Sequence, residues 1–262
     1  MMYHVPLDWI PLWLFLLLEL AAGMLDVEGG YRFGRWRHAR VSEEKDAPVA
    51  AMVASVLGLL ALLLGFTFSL AASRFEARRQ AVLEESNAIG TTYLRARLLP
   101  EPQRSEIMEL LREYTALRAY NLTEAKIAAV ITRSEELHEQ VWSRAVAVAD
   151  RNPGSIMTGL FIQSLNQMID MHSKRVLIGL RSRIPGSIWL ALFGLALIGL
   201  GSVGYQAGLS GTRRSPEMPV LILAFAAVFY LIVDLDRAHE GILRVGQQPM
   251  IDLLKIMQSG RR

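Results

Sequence analysis

The residues of this chain best suited to metal binding or proton transfer are five histidines and 25 carboxylates, and no spacing among them makes a recognised site. His4, His38, His138, His172 and His239 lie far apart in sequence. Glu135, His138 and Glu139 would share one helix face, as would Met168 and His172 beside Asp170. A solvated amphipathic face accounts for both groupings. There is no His-Glu-x-x-His, phosphate loop, dinucleotide fingerprint or Gly-x-Ser-x-Gly. The absence of cysteine excludes thiolate ligands, cysteine nucleophiles and disulfides. These residues predict no enzyme activity, no metal site and no cofactor.

The other notable side chains are hydroxyls and small residues set into apolar sequence. On a helical wheel of residues 49–73, one stripe reads Ser55, Leu59, Leu62, Phe66, Ser69 and Ser73. Hydroxyls at both ends of an apolar middle suit a water-filled path with a hydrophobic constriction. They suit an ordinary packed helix equally. The neighbouring stripe carries Ala54, Gly58, Ala61 and Gly65 at heptad spacing. Small side chains let helix backbones approach closely in a membrane, so these four are the expected helix-packing residues.

Four stretches must position these residues, and they are almost free of charge: Ile10–Leu25, Val49–Ser73, Ile184–Gly211 and Pro219–Val233. In a chain of 262 residues with 20% charged side chains, so uneven a distribution marks an integral membrane protein rather than a soluble one. The first stretch has no cation ahead of it before Arg32, unlike a signal peptide, and reads as a retained span with Asp8 and Glu19 in it. An intramembrane carboxylate such as Glu19 faces a neighbouring helix or a water-lined path. The third contains Gly204-x-x-x-Gly208, which permits a close helix crossing. The fourth is short and runs into Asp234-Leu-Asp236, carboxylates expected at the membrane boundary.

Residues 74–183 show helical periodicity and no strand alternation. The second span should continue unbroken from Arg74 to Leu99, where Pro100-Glu101-Pro102 stops it. Helices are expected over Gln103–Tyr120, over Glu124–Asp150 with Thr123 as N-cap, and from Ser155 to Arg183 after the Asn152-Pro153-Gly154 break. Four helices on a membrane stem result. The 16 cations of this region are mixed with 13 acids, which argues against a nucleic-acid face. Predicted domain limits are 1–73 (a transmembrane helix pair with a basic loop from Arg32 to Lys45), 74–183 (helical, extramembrane), 184–241 (the second pair) and 242–262 (a C-terminal segment). Charge counting for four crossings puts seven cations on one side and 21 on the other, placing the helical domain and both termini in the cytoplasm.

Specific sequence runs go further. Gly65-Phe-Thr-Phe-Ser-Leu-Ala71, Arg78-Arg79, Glu85-x-Asn87-Ala-Ile-Gly-Thr91, Tyr93-Leu-Arg95 and Leu99-Pro100 resemble the bestrophin-like domain family of bacterial and plant membrane proteins. So does Asp234-Leu-Asp-Arg237…Gly241…Val245…Gln248-Pro249, with Ala238 where that family's pattern has proline. The more distant resemblance is to bestrophins, pentameric ion channels with a cytosolic helical insertion and a pore lined by the second span. That resemblance implies a homo-oligomer in the bilayer, ions as its cargo, and Leu59, Leu62 and Phe66 as the constriction. It also implies a membrane-proximal acidic segment of Asp234, Asp236 and Glu240, with Asp234 and Asp236 as candidates for a cation site or a gating contact. Asp236 to Glu240 is too sparse in acids for the bestrophin calcium clasp. The expected fold is all-α: four transmembrane helices with a four-helix extramembrane domain inserted between the second and third spans. The expected function is oligomeric ion conduction in a bacterial inner membrane. The alternative is a non-conducting, membrane-anchored scaffold with the same fold.

Overall fold

The computed structural model describes residues 10–40, 46–120, 124–211, 217–237 and 241–259. Among the described residues there are eight helices and no strand. They are α1 (Leu12–His38), α2 (Asp46–Ala96), α3 (Gln103–Arg118), α4 (Glu124–Arg151), α5 (Ile156–Arg181), α6 (Gly186–Leu209), α7 (Glu217–Asp236) and α8 (Gln248–Ser259). Thr123, Asp8, His4, His239, Ala238, Glu240 and the Arg213-Arg214 turn lie outside the described residues.

Among the described residues, three helices are long and apolar enough to cross a membrane: α2 from Pro48, α6 and α7. The first helix falls short because Glu19, Asp26 and Glu28 interrupt its apolar run. Two boundaries differ from those the sequence predicts. Helix α1 runs on through Arg32–His38, where a loop was expected, because nothing stronger than Gly29-Gly30 interrupts it. Helix α8 was not anticipated at all; the segment after residue 242 shows too few turns of periodicity to announce a helix of 12 residues.

Contacts divide the chain into two compact units. The first contains α1, α2 as far as Arg74, α6 and α7. Its organising feature is a glycine seam between α1 and α6, which run parallel. A side-chain carbon on Gly204 would strike the Val27 carbonyl, one on Gly208 the Tyr31 carbonyl, one on Gly30 the Gly201 carbonyl, and one on Gly34 the Tyr205 carbonyl. Backbone therefore lies on backbone over two full turns, an approach that only glycine allows. The Gly204-x-x-x-Gly208 expectation holds, and its partner is Gly30-x-x-x-Gly34, which the sequence reading did not single out. Gly199 of α6 packs on Leu57 of α2, and Gly23 of α1 packs on Ile222 of α7. Leu60, Leu64, Leu192 and Phe229 fill the interior.

The second unit contains α2 beyond Arg74, with α3, α4, α5 and α8. Ile89, Ile107, Leu111, Leu137, Phe161, Leu165 and Met168 form its core. Ser155 caps α5, accepting the Thr158 N–H at 3.2 Å. Helix α8 inserts Met250 and Met257 into this core. Three side chains donate to its carbonyls: Ser86 to Pro249 (3.0 Å), and Tyr93 and Arg112 to Met257 (3.3 and 3.2 Å).

Candidate functional site

Helix α2 presents two different sides within the first unit. Val53, Leu60, Leu64, Thr67 and Ala71 are buried against it. Ser55, Leu59, Leu62, Phe66 and Ser69, together with Ala54, Gly58, Ala61 and Gly65, are all exposed. Phe66 is 65% exposed. A side-chain carbon added at Gly58 or Gly65 meets nothing within 4 Å. All nine residues singled out from the wheel therefore lie exposed on one side of one helix, where Ser55 donates to the Ala51 carbonyl of its own helix at 2.8 Å. The contrast with other outward surfaces is chemical. Exposed positions on α6 and α7 are large and apolar, such as Leu190, Leu197, Ile198, Val220 and Leu223. The α2 side alternates glycine, alanine and serine with a few large residues.

The acidic segment after α7 is built differently from an open cation site. The Asp234 carboxylate is buried and accepts the N–H groups of Ile242 (2.9 Å) and Leu243 (3.1 Å). Gly241 turns at φ +118°, and a side chain there would run into the same carboxylate. Asp236 accepts the Ile184 N–H at 2.9 Å and stands 3.7 Å from the Arg183 guanidinium. Arg237 donates to the Ile10 carbonyl. Asp234 and Asp236 thus serve separate backbone segments and do not converge, and Glu240 lies outside the described residues. Among the described residues, no group of three or more His, Asp or Glu could hold a metal ion.

The second unit contains a buried charge cluster that the sequence reading missed. Glu85 of α2 is fully buried. It accepts from the Tyr114 hydroxyl at 2.6 Å, from Arg118 Nη2 at 3.3 Å and from Arg175 Nη1. Arg175 reaches on to Gln247 Oε1 at 2.7 Å. His172 Nδ1 lies 3.1 Å from the Tyr114 oxygen. The single tyrosine proton already goes to Glu85, so His172 Nδ1 is the N–H that donates to Tyr114. His138 completes the group, its ring 4.7 Å from Tyr114 and 4.9 Å from His172.

Burial alone would push the Glu85 carboxyl up. The His172 ring, both guanidiniums and the Tyr114 hydroxyl outweigh that and hold it well below the usual carboxylate range. Burial, reinforced by the Glu85 charge, keeps Tyr114 protonated. Burial and the adjacent His172 push His138 down to about 4. The sequence expectation of solvated faces at His138 and His172 is corrected here: both are buried and face one another. The missed signal was Glu85 itself, which stands on the apolar face of α2 between Val82 and Ile89, a position where a carboxylate needs buried partners.

The comparisons with known proteins agree with one another. The sequence model of the Bestrophin-like domain matches residues 10–250. No curated protein matches. A crystal structure of a bacterial bestrophin homologue from Klebsiella pneumoniae is 14% identical with a TM-score of 0.65, over 94% of this chain and 97% of that one. A point variant of that homologue gives a TM-score of 0.63 at 14% identity, over 95% and 96% of the two chains. A variant described as a membrane protein gives 0.68 at 13% identity, over 94% and 97%. At these identities the likeness is one of fold. The family match covers nearly the whole chain, and so this integral membrane protein belongs to the Bestrophin-like family.

Proposed function

We propose that this protein is an oligomeric ion channel whose pore is lined by α2. The observation that carries the reading is the unpartnered side of α2. Glycine and alanine there suit close packing against other copies, while Ser55, Leu59, Leu62, Phe66 and Ser69 turn toward a shared axis. In the oligomer, Leu62 and Phe66 narrow the path. Wetting an apolar ring forfeits water's hydrogen bonds, so an ion meets a dehydration barrier there.

Helix α1 is the fourth crossing, carried by the seam with α6. Its parallel run with α6 supports this, since the first and third spans of a four-span chain must point the same way. Residues 74–183 form the extramembrane domain, on the cytoplasmic side with both termini by the charge count, in a bacterial inner membrane. The resemblance to bestrophins supplies five as the number of subunits.

The test is Phe66→Ala in reconstituted bilayers. Widening the ring raises conductance or leak while leaving thermal stability near that of the parent. The scaffold alternative expects an electrically silent protein. A Phe66 that fills a core would lose about 3–5 kcal/mol on truncation.

A further inference from the structure

The C-terminal end of α1 carries a surface that conduction does not use. Phe33 and Trp36 are exposed, at 55% and 49%. They stack with centroids 5.7 Å apart. Tyr205 of α6 extends the stack at one end, 5.6 Å from Phe33. The Arg40 guanidinium closes the other end, 4.3 Å from the Trp36 ring. Arg37 is exposed on the same helix face as Phe33, Trp36 and Arg40, whereas Arg35 lies over the Tyr31 ring at 5.9 Å on another face, and no acid occurs from Phe33 to Arg40.

The glycine seam fixes the depth of this surface. A carbon on Gly208 would touch Tyr31 and Arg35 backbone, so Arg35 is level with Gly208, one residue before the charge-free helix α6 ends at Leu209. Exposed Leu18 and Leu25 lead up to it on the same face of α1. Cations in a last helical turn complement the helix dipole, which accounts for the arginines. It does not account for two large aromatic rings stacked in the open beside them. A ligand that is apolar on one side and anionic on the other accounts for both.

We propose that this end of α1 binds anionic phospholipid. Phe33 and Trp36 lie along the glycerol and upper acyl chains, and Arg37 and Arg40 hold the phosphate. Aromatic rings favour the interfacial level, and each arginine near the surface adds attraction for an anionic headgroup.

The test is a titration of the full-length protein in neutral detergent, with retained lipid read by native mass spectrometry. Phosphatidylglycerol should be retained in preference to phosphatidylcholine, and the preference should fade as ionic strength rises. The double variant Arg37→Gln/Arg40→Gln should bind phosphatidylglycerol about thirtyfold more weakly, with phosphatidylcholine unchanged. Trp36→Ala should weaken phosphatidylglycerol without affecting inorganic phosphate. Three results would overturn the proposal. One is a parent protein without headgroup preference. Another is a preference indifferent to salt, which can be read on the parent even if the double variant does not fold. The third is inorganic phosphate competing as well as the lipid, which would make this a site for soluble anions.

Discussion

The Tyr114 hydroxyl donates to Glu85 at 2.6 Å inside the second unit, and that bond sets the state of everything around it. It leaves the tyrosine oxygen free to accept only, which orients His172. It also engages one oxygen of a carboxylate that faces two guanidiniums. Glu85 is the one acid of the cluster among the described residues, so Glu85→Gln should strand the buried Arg118 and the half-buried Arg175. The expected loss is about 3–5 kcal/mol, read as a lower melting temperature in detergent. Adding Arg118→Met to that variant should recover part of the loss. Unchanged melting in Glu85→Gln would mean that the guanidiniums are neutralised elsewhere.

Acid should loosen the same unit in a defined window. His138 is held at about 4 in the fold against an ordinary 6.5, so between those values the unfolded chain binds a proton that the folded chain refuses. Stability is complete above pH 6.5 and falls as pH drops toward 4, by up to about 3 kcal/mol. Glu85 has the opposite partner chemistry, and its contribution is lost only at lower pH, below the ordinary carboxylate range. Melting temperature against pH for the parent and for His138→Leu should separate the two. The slope between pH 6.5 and 4 should flatten in the variant.

Two glycine substitutions should fail in different ways. Gly204→Ala drives a carbon into the Val27 carbonyl and should open the α1–α6 seam, costing about 1–3 kcal/mol or more. At Gly58 an added side-chain carbon meets nothing within 4 Å among the described residues, so Gly58→Leu has open space in the single chain. It should leave the single chain folded and break the oligomer, as read by mass photometry or native mass spectrometry. An intact oligomer in Gly58→Leu would remove the packing role of the small stripe.

The turn after α7 should depend on the pairing of Asp234 with Gly241. Gly241→Ala combines an unfavourable φ with a collision against the carboxylate. Asp234→Asn turns an amide N–H₂ toward a backbone N–H, costing about 1–3 kcal/mol. Either change should speed tryptic cleavage at Arg244. Cleavage at the parent's rate would show that the turn is held by other contacts.

Much of the helical layout was legible because periodicity and breakers are local signals. Pro100-Glu101-Pro102 and Asn152-Pro153-Gly154 end their helices near the expected positions. The stripes that the sequence reads as pore-lining or helix-packing are exposed in the single chain, because what they would face is not within it. The Glu85 cluster was not legible, since its members come from four helices and from Gln247, and one sequence does not say which distant histidine meets which carboxylate. His138 looked solvated among Glu135 and Glu139, yet it lies on the other side of the boundary between polar and buried faces. Helix α8 was missed because it is held by Met250, Met257 and side chains donating to its backbone, contacts that leave little pattern in its own sequence.

The glycine seam also sets an order of events during synthesis. Helix α1 carries Asp26 and Glu28 toward its middle, and Asp26 rests against the Gly201 backbone of α6. That surface does not exist until α6 has been made. At about 5–20 residues per second, the ribosome needs roughly 10–30 s to travel from the end of α1 to the end of α6. For that interval α1, with Glu19, Asp26 and Glu28 in it, is poorly able to rest alone in lipid. As the crossing proposed above, it is sheltered by the insertion machinery, or lingers at the interface, until its partner arrives. Variants that weaken the seam should therefore lower the yield of inserted protein more than they lower the stability of the protein that does insert.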